Sequence, residues 1–189
     1  AALAEQRRAE RVCARQYAEA GHAWKAAVEK VFELPAMSLQ TTQALTRSLL
    51  DKMLVDGELC IRVLADAPGD RAAAHALNVT VISLLMGRCF GFADEEMMDL
   101  GAGSLLHDVG KLELPDRLRL PDGQFTPAEN NLYREHVAHG LKHGQRMGLP
   151  NGALSVIAQH HELADGSGFP QRLAGERITV PARIVALVN

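Results

Sequence analysis

The sequence predicts an all-α fold, a helical bundle with a helical lead-in, and three observations carry that reading. Ala and Leu dominate while aromatic residues make up only 4% of the 189 residues, a balance that favours helix over sheet. Apolar positions recur at helical spacing, and His75, Val79, Ile82 and Met86 fall at i, i+4, i+7 and i+11. Proline and glycine signals, such as Pro68-Gly69-Asp70 and Gly148-Leu149-Pro150-Asn151, separate the periodic stretches. A chain of this length can bury a real core as one domain.

Composition also excludes some function classes. The net charge of -3 provides no general attraction to a nucleic-acid polymer or an anionic membrane. No apolar run approaches the ~20 residues that span a bilayer, so no membrane segment is expected in this fragment. Cys13, Cys60 and Cys89 lie far apart without zinc-ribbon spacing; they are read as small core residues in a reducing, cytoplasmic setting. The chain begins without Met and ends inside an apolar helical pattern, Ile184, Val185, Leu187 and Val188. The expectation is a piece of a longer protein, truncated at its C-terminal end.

Residues 1–33 carry Val12, Ala20, Trp24, Ala27, Val28 and Val31 at helical spacing and end near Leu34-Pro35. His22, beside Gly21, is not read as a ligand. A second helix is expected from Ser38, as its N-cap, toward Asp66. With the turn at Pro68-Gly69-Asp70, residues 1–70 form a helical lead-in or linker and 71–189 the main domain. The helix from Arg71 points His75 toward the core. The next starts near Asp94, whose Glu95 and Glu96 suit the positive end of its dipole, and runs into Gly101-Ala102-Gly103-Ser104, small enough for a neighbouring helix to approach.

That helix leads to His107-Asp108-Val109-Gly110-Lys111. Adjacent helical residues diverge by about 100°, so His107 and Asp108 share one centre only where the helix ends, and Gly110 is a candidate C-cap. After a loop from Leu114-Pro115-Asp116 to Pro121-Asp122-Gly123, Thr126-Pro127-Ala128-Glu129 fits a capping box. One helix should then carry Glu135, His136, His139, Gly140 and His143. His139 and His143 are read as solvated. Asn151 is expected to cap a short helix reaching His160-His161, followed by Glu162, Asp165 and the Gly166-Ser167-Gly168-Phe169-Pro170 turn. A last helix starts at Thr179 with Pro181 in its first turn.

Ligands of His and Asp without Cys suit Fe, Mn, Co, Ni or Zn. A carboxylate flanked by imidazoles can hold two cations ~3.5–4 Å apart, which acidify water and clamp phosphate oxygens. Lys111 adds a fixed positive charge. These pieces favour a metallophosphohydrolase.

The order His75, His107-Asp108-x-Gly110-Lys111, His136-x3-Gly140 and His160-His161-Glu162-x-x-Asp165-Gly166-x-Gly168-Phe169-Pro170 resembles an HD-GYP domain. This is the branch of the all-helical HD phosphohydrolases whose members hydrolyse cyclic di-GMP in bacterial signalling. The resemblance covers about Arg71 to Asn189 and is weaker over residues 1–70. It implies an HD-domain helical bundle and two divalent metal ions, Fe or Mn first, with Ni, Co or Zn as others. The implied metal ligands are His75, His107, Asp108, His136, His160, His161 and Asn189, with Asp108 bridging and catalytic. Lys111 would contact the scissile phosphate, and Gly168, Phe169, Pro170 and Arg183 would lie by the substrate. The loop at 168–170 is also an expected contact for a diguanylate cyclase or other signalling protein. The implied reaction is hydrolysis of cyclic di-GMP to pGpG or GMP.

Five positions depart from the family pattern. Phe169 stands for a Tyr, keeping the ring and losing a hydroxyl. Asn189 stands where the pattern Ala-Arg-Ile-x-x-x-x-Asp places a carboxylate, removing one negative charge from the first metal. Arg71 stands for a Glu that supports a third metal in some members, so a trinuclear site is not expected. Leu163-Ala164 replaces an Arg and an aromatic residue. The alternative to an active phosphodiesterase is therefore a weakened or inactive module that binds nucleotide or a partner. A hydrolase of another phosphate ester ranks third.

Overall fold

The structure, a computed structural model, describes residues 2–55, 71–119 and 124–189. In chain order the helices are α1 (Ala2–Glu29), α2 (Pro35–Val55), α3 (Arg71–Cys89), α4 (Asp94–Leu106), α5 (Asp116–Arg119), α6 (Pro127–Arg134), α7 (His136–Met147), α8 (Asn151–Gln159) and α9 (Val180–Val188). A 3-10 turn, Val109–Glu113, follows α4 and a shorter one, Gly175–Arg177, precedes α9. Among the described residues the β pairing is one isolated bridge between Asp165 and Ala174. The all-α expectation holds.

α1 and α2 fold back on each other. α2 starts at Pro35 rather than at Ser38, because a proline fits the first turn of a helix. Ser38 is buried inside α2, and its hydroxyl donates to the Ala27 carbonyl of α1 at 2.7 Å; it ties the hairpin instead of capping a helix. The run toward Asp66, the turn at Pro68-Gly69-Asp70, Cys60 and the Pro121-Asp122-Gly123 turn lie outside the described residues, as does the side chain of Cys13. Ala20 of α1 and Leu45 of α2 join Leu77, Leu105, Met147 and Ile157 in a single apolar cluster, so both helices contribute to the main core.

α3 begins at Arg71 as expected, and Val79 of the expected face is buried, but the buried stripe otherwise runs through Ala73, Ala76, Leu77, Thr80, Ser83, Leu84 and Gly87. His75, Ile82 and Met86 flank that stripe, and the His75 side chain is 41% exposed, at the border of the core instead of inside it. Contrary to the expectation that no run is long enough, α3 has the length (19 residues) and mean hydropathy (1.3) of a helix that could cross a membrane. Here Leu77, Val79 and Leu84 are spent in the protein core. Cys89, at its end, is exposed and not the core residue expected.

α4 is central, packed against α2, α3 and α8. Asp94, Glu95 and Glu96 occupy its first turn, and Glu96 accepts the Ala93 N–H at 2.8 Å. Leu100, Leu105 and Leu106 are buried, each contributing roughly 1.5–3 kcal/mol. The small-residue run does what its composition predicts. A Cβ on Gly101 would lie 2.4 Å from Thr46 of α2, and one on Gly103 would lie 2.7 Å from Val156 of α8.

The single helix expected after Thr126 is two. The Thr126–Glu129 capping box forms, but the chain breaks at Glu135, and α7 starts afresh at His136. α7 ends on Gly148 in the left-handed region, φ 82°. Pro150, not Asn151, holds the cap position of α8. α9 begins as expected, with Thr179 accepting the Ala182 N–H, and packs on α3 and α8.

Candidate metal centre

The last carbonyls of a helix lack intrahelical donors, and three helices that end at one point solve this the same way. The Nδ1 of His107 donates to the Ser104 carbonyl at the end of α4, 2.7 Å away. That of His136 donates to Tyr133 at the end of α6, 2.5 Å, and that of His160 to Ile157 at the end of α8, 2.8 Å. Each bond runs to residue i−3 and fixes the tautomer, leaving the Nε2 lone pair free to face the centre. The negative ends of three helix dipoles therefore converge where a cation would sit. All three rings are buried.

Between them lies Asp108, just past the end of α4. Its Oδ2 faces His107 Nε2 at 3.3 Å and His75 Nε2 at 3.7 Å. Its Oδ1 faces His136 Nε2 at 3.5 Å and His160 Nε2 at 3.8 Å. Two groups of donors with metal-binding spacing result: Asp108, His136, His160 and His161 form one, and His75, His107 and Asp108 the other. Asp108 is common to both. The fit to cations has independent support, because Asp108 Oδ1 and His161 Nε2 are buried without a hydrogen-bond partner among the described residues. Such atoms are costly unless something else satisfies them.

The electrostatics keep most of the donors in the ligating state. Burial, then the neighbouring imidazoles of His160 and His136, push His161 down to about 2. Burial pushes His136 down to about 4, and lowers His160 and His75 as well. Burial opposes a charge on His107 too, but the Asp108 carboxylate outweighs it and raises that group. For Asp108, burial favours the neutral acid; His107, His160 and Lys111 together hold it well below the usual carboxylate range. The result is one anionic carboxylate among mostly neutral imidazoles. Lys111 Nζ donates to Asp108 Oδ2 at 2.7 Å and lies 5.1 Å from the Tyr133 ring centre. Burial acts to lower Lys111, and Asp108 overrides it and raises the group.

Gly110 does not cap α4, as the sequence suggested. A Cβ there would lie 1.8 Å from the His136 carbonyl oxygen and 2.4 Å from the Gly140 nitrogen. Its small size lets the 3-10 turn lie backbone to backbone on α7 at Gly140, which brings Asp108 and Lys111 beside His136. The same economy applies at Gly168, where a Cβ would meet the Leu163 nitrogen at 2.4 Å.

A cavity of about 800 Å³ opens beside the centre, lined by His75, Asp108, Lys111, His161 and Asn189 among others. Asn189 hydrogen-bonds His75, where the sequence placed the last ligand. Phe169 stacks on His161, with ring centres 4.6 Å apart and planes 18° apart. Neither Phe169 nor Gly168 and Pro170 lines the cavity. Arg183 does not line it either; its guanidinium donates to the Ile178 and Gly175 carbonyls at 3.0 and 2.8 Å.

His143 departs from expectation. It is 2% exposed, its Nε2 lies 2.5 Å from Glu113 Oε1, and the Phe32 ring stands edge-on to it. His139 is partly exposed and also reaches Glu113, at 3.3 Å. Both imidazoles clamp the end of the 3-10 turn to α7. Glu162, named in the sequence motif, had no role assigned there. It is buried, accepts the Gln171 and Leu173 N–H groups at 2.7 and 2.8 Å, and so holds the loop after His161. Tyr133 was missed because its contribution includes a backbone carbonyl, which any residue type supplies.

The HD domain family profile matches residues 58–189. The chain is 37% identical over 120 residues to the cyclic di-GMP phosphodiesterase response regulator RpfG of Xanthomonas campestris pv. campestris, covering 62% of this chain and 32% of that one. It is 31% identical over 126 residues to the 3'3'-cGAMP-specific phosphodiesterase 2 of Vibrio cholerae, covering 66% of this chain and 24% of that one. The chain thus spans about a third or less of the length of these relatives. In fold it is similar to Bd1817, an HDG"Y"P protein from Bdellovibrio bacteriovorus, with TM-score 0.74 and 22% identity, covering 88% of this chain and 56% of that one.

Proposed function

The chain belongs to the HD domain family, and from that premise we propose that it is a metal-dependent phosphodiesterase of the HD-GYP type. In this reading it hydrolyses cyclic di-GMP to pGpG or GMP in the cytoplasm. Residues 71–189 carry the chemistry and residues 1–70 lead into it. The observation that carries the proposal is Asp108, each of whose oxygens faces a different set of imidazoles. His136, His160 and His161 would hold one divalent ion, His75, His107 and Asn189 the other, and Asp108 both.

Bound ions would supply Lewis acidity toward phosphoryl oxygens and acidify water. The protein's own groups do the rest. The i−3 carbonyls keep three imidazoles in the ligating tautomer. Asp108 holds Lys111 at the cavity wall, and its raised pKa keeps Nζ charged to donate to a phosphoryl oxygen. The similar relatives named for cyclic di-GMP and cGAMP hydrolysis support a cyclic dinucleotide as substrate.

The test measures metal content and cyclic di-GMP turnover of the Fe- or Mn-loaded protein under reducing conditions, beside His107→Ala. Metal binding with turnover that His107→Ala abolishes is expected. No metal and no turnover would overturn the enzyme reading. A second reading rests on Asn189, whose neutral amide takes the last donor position beside His75. Here the module binds nucleotide or a signalling partner and hydrolyses slowly or not at all. Turnover appearing only in Asn189→Asp would favour it.

A further inference from the structure

The cavity beside the metal centre is larger than a phosphodiester requires. Its volume of about 800 Å³ falls in the range of sites that enclose whole small molecules. Its lining divides by chemistry: Arg71, Lys111 and Arg119 are cationic, while Trp24, Val28 and Leu105 are apolar. Trp24 and Val28 belong to α1, which lies outside the residues 58–189 that the HD family profile matches. One wall of the cavity is therefore built by the lead-in.

Trp24 is the chain's one tryptophan. Its Nε1–H donates to the Leu105 carbonyl at 2.8 Å, in the last turn of α4, just before His107. That bond uses the ring's hydrogen-bond donor and fixes the ring, so what the side chain can offer a ligand is its π surface. A fixed indole near cationic groups and a phosphate-binding lysine matches the two halves of a nucleotide, a flat base and an anionic ester. We propose that Trp24 is a base-stacking residue of the substrate site, contributed by the lead-in helix and setting affinity for the nucleobase of a cyclic dinucleotide. This rests on the phosphodiesterase reading for its ligand and adds a specificity determinant outside the metal-binding domain.

Two measurements decide it. In the Mn-loaded protein, mixing with cyclic di-GMP should quench or shift the tryptophan emission saturably, whereas inorganic phosphate should leave it unchanged. An emission that stays constant at cyclic di-GMP concentrations saturating turnover would overturn the proposal. In steady-state kinetics Trp24→Leu should raise KM roughly tenfold, as loss of a base stack does, with kcat within about twofold, and Trp24→Phe should restore most of the loss. Trp24→Leu with unaltered KM would also overturn it. Should that variant unfold, the emission of the unaltered protein decides alone. The two readings fail separately. A protein that binds cyclic di-GMP with an emission change but never hydrolyses it removes the enzyme and keeps the subsite, while normal turnover with constant emission removes only the subsite.

Discussion

The two sides of Asp108 are built differently. On the Oδ1 side, His136 and His160 are buried, each locked by a helix-end carbonyl, and His161 is backed by the stacked Phe169. On the Oδ2 side only His107 is held that way. His75 comes from the first turns of α3, is 41% exposed, and leans on the amide of Asn189. One side is mostly buried and meets the cavity at His161; the other meets it at the half-exposed His75 and carries an amide at residue 189. The lesson is that a shared carboxylate can join a set of donors organised by protein packing to a set whose arrangement depends on few atoms.

The sharpest way to break this comparison is to remove what both sides share. Asp108→Ala should abolish binding at both positions and lower turnover at least about a hundredfold, as metal analysis and cyclic di-GMP hydrolysis would record. His136→Ala, by contrast, should empty the Oδ1 side first, leaving a stoichiometry of one weak ion or none.

Gly110→Ala tests the spacing between the sides without touching a donor. The added methyl has nowhere to go against the His136 carbonyl, and the 3-10 turn must lift off α7. We expect a loss of about 1–3 kcal/mol or more in unfolding free energy, together with loss of metal at both positions. A variant that stays stable and fully metal-loaded would show that the sides are not registered through this contact.

Asn189→Asp sharpens the asymmetry from the other direction. A carboxylate beside His75 should tighten the weaker ion by about tenfold or more, turning one strong and one weak binding step into two strong ones in a titration. Equal affinities before and after would mean that residue 189 does not complete the Oδ2 side.

Acid should destabilise the metal-free protein. His136 and His161 have folded values near 4 and 2, below the ordinary imidazole value of 6.5. Above 6.5 neither state holds the extra proton and stability is full. As pH falls below 6.5 the unfolded chain gains protons that the folded chain refuses, so stability declines toward pH 4. Thermal unfolding from pH 8 to pH 5 should show a falling midpoint, with a shallower slope for His161→Asn. The smallest effect expected is on the far side of the 3-10 turn. Glu113→Gln weakens the contact to buried His143 and should cost about 1–2 kcal/mol, with a smaller drop in turnover than any ligand change.

What the sequence made legible follows from where the information lies. Donor identity is written in side chains, so the sequence could name His75, His107, Asp108, His136, His160 and His161, which the structure brings together around Asp108; the small residues of α4 and the Thr126–Glu129 cap were legible in the same way. Positioning by backbone was not. The break at Glu135, the i−3 carbonyls and the use of Gly110 as a contact rather than a cap depend on how separate segments meet. His143 was misread for the same reason: its partner, Glu113, is 30 residues away, beyond any local pattern. Arg183 was assigned from family position alone, and its own loop occupies it.

The crossing of Gly110 over Gly140 has a consequence for how such a centre can vary. Since main chain rests on main chain there, no rotamer and no side-chain length enters the spacing of the two backbones that carry Asp108 and His136. Exchange of a donor, as at residue 189, can change charge and hardness while leaving that backbone spacing as it is. Variation at such a centre then proceeds by substituting donor atoms around a backbone gauge of fixed width.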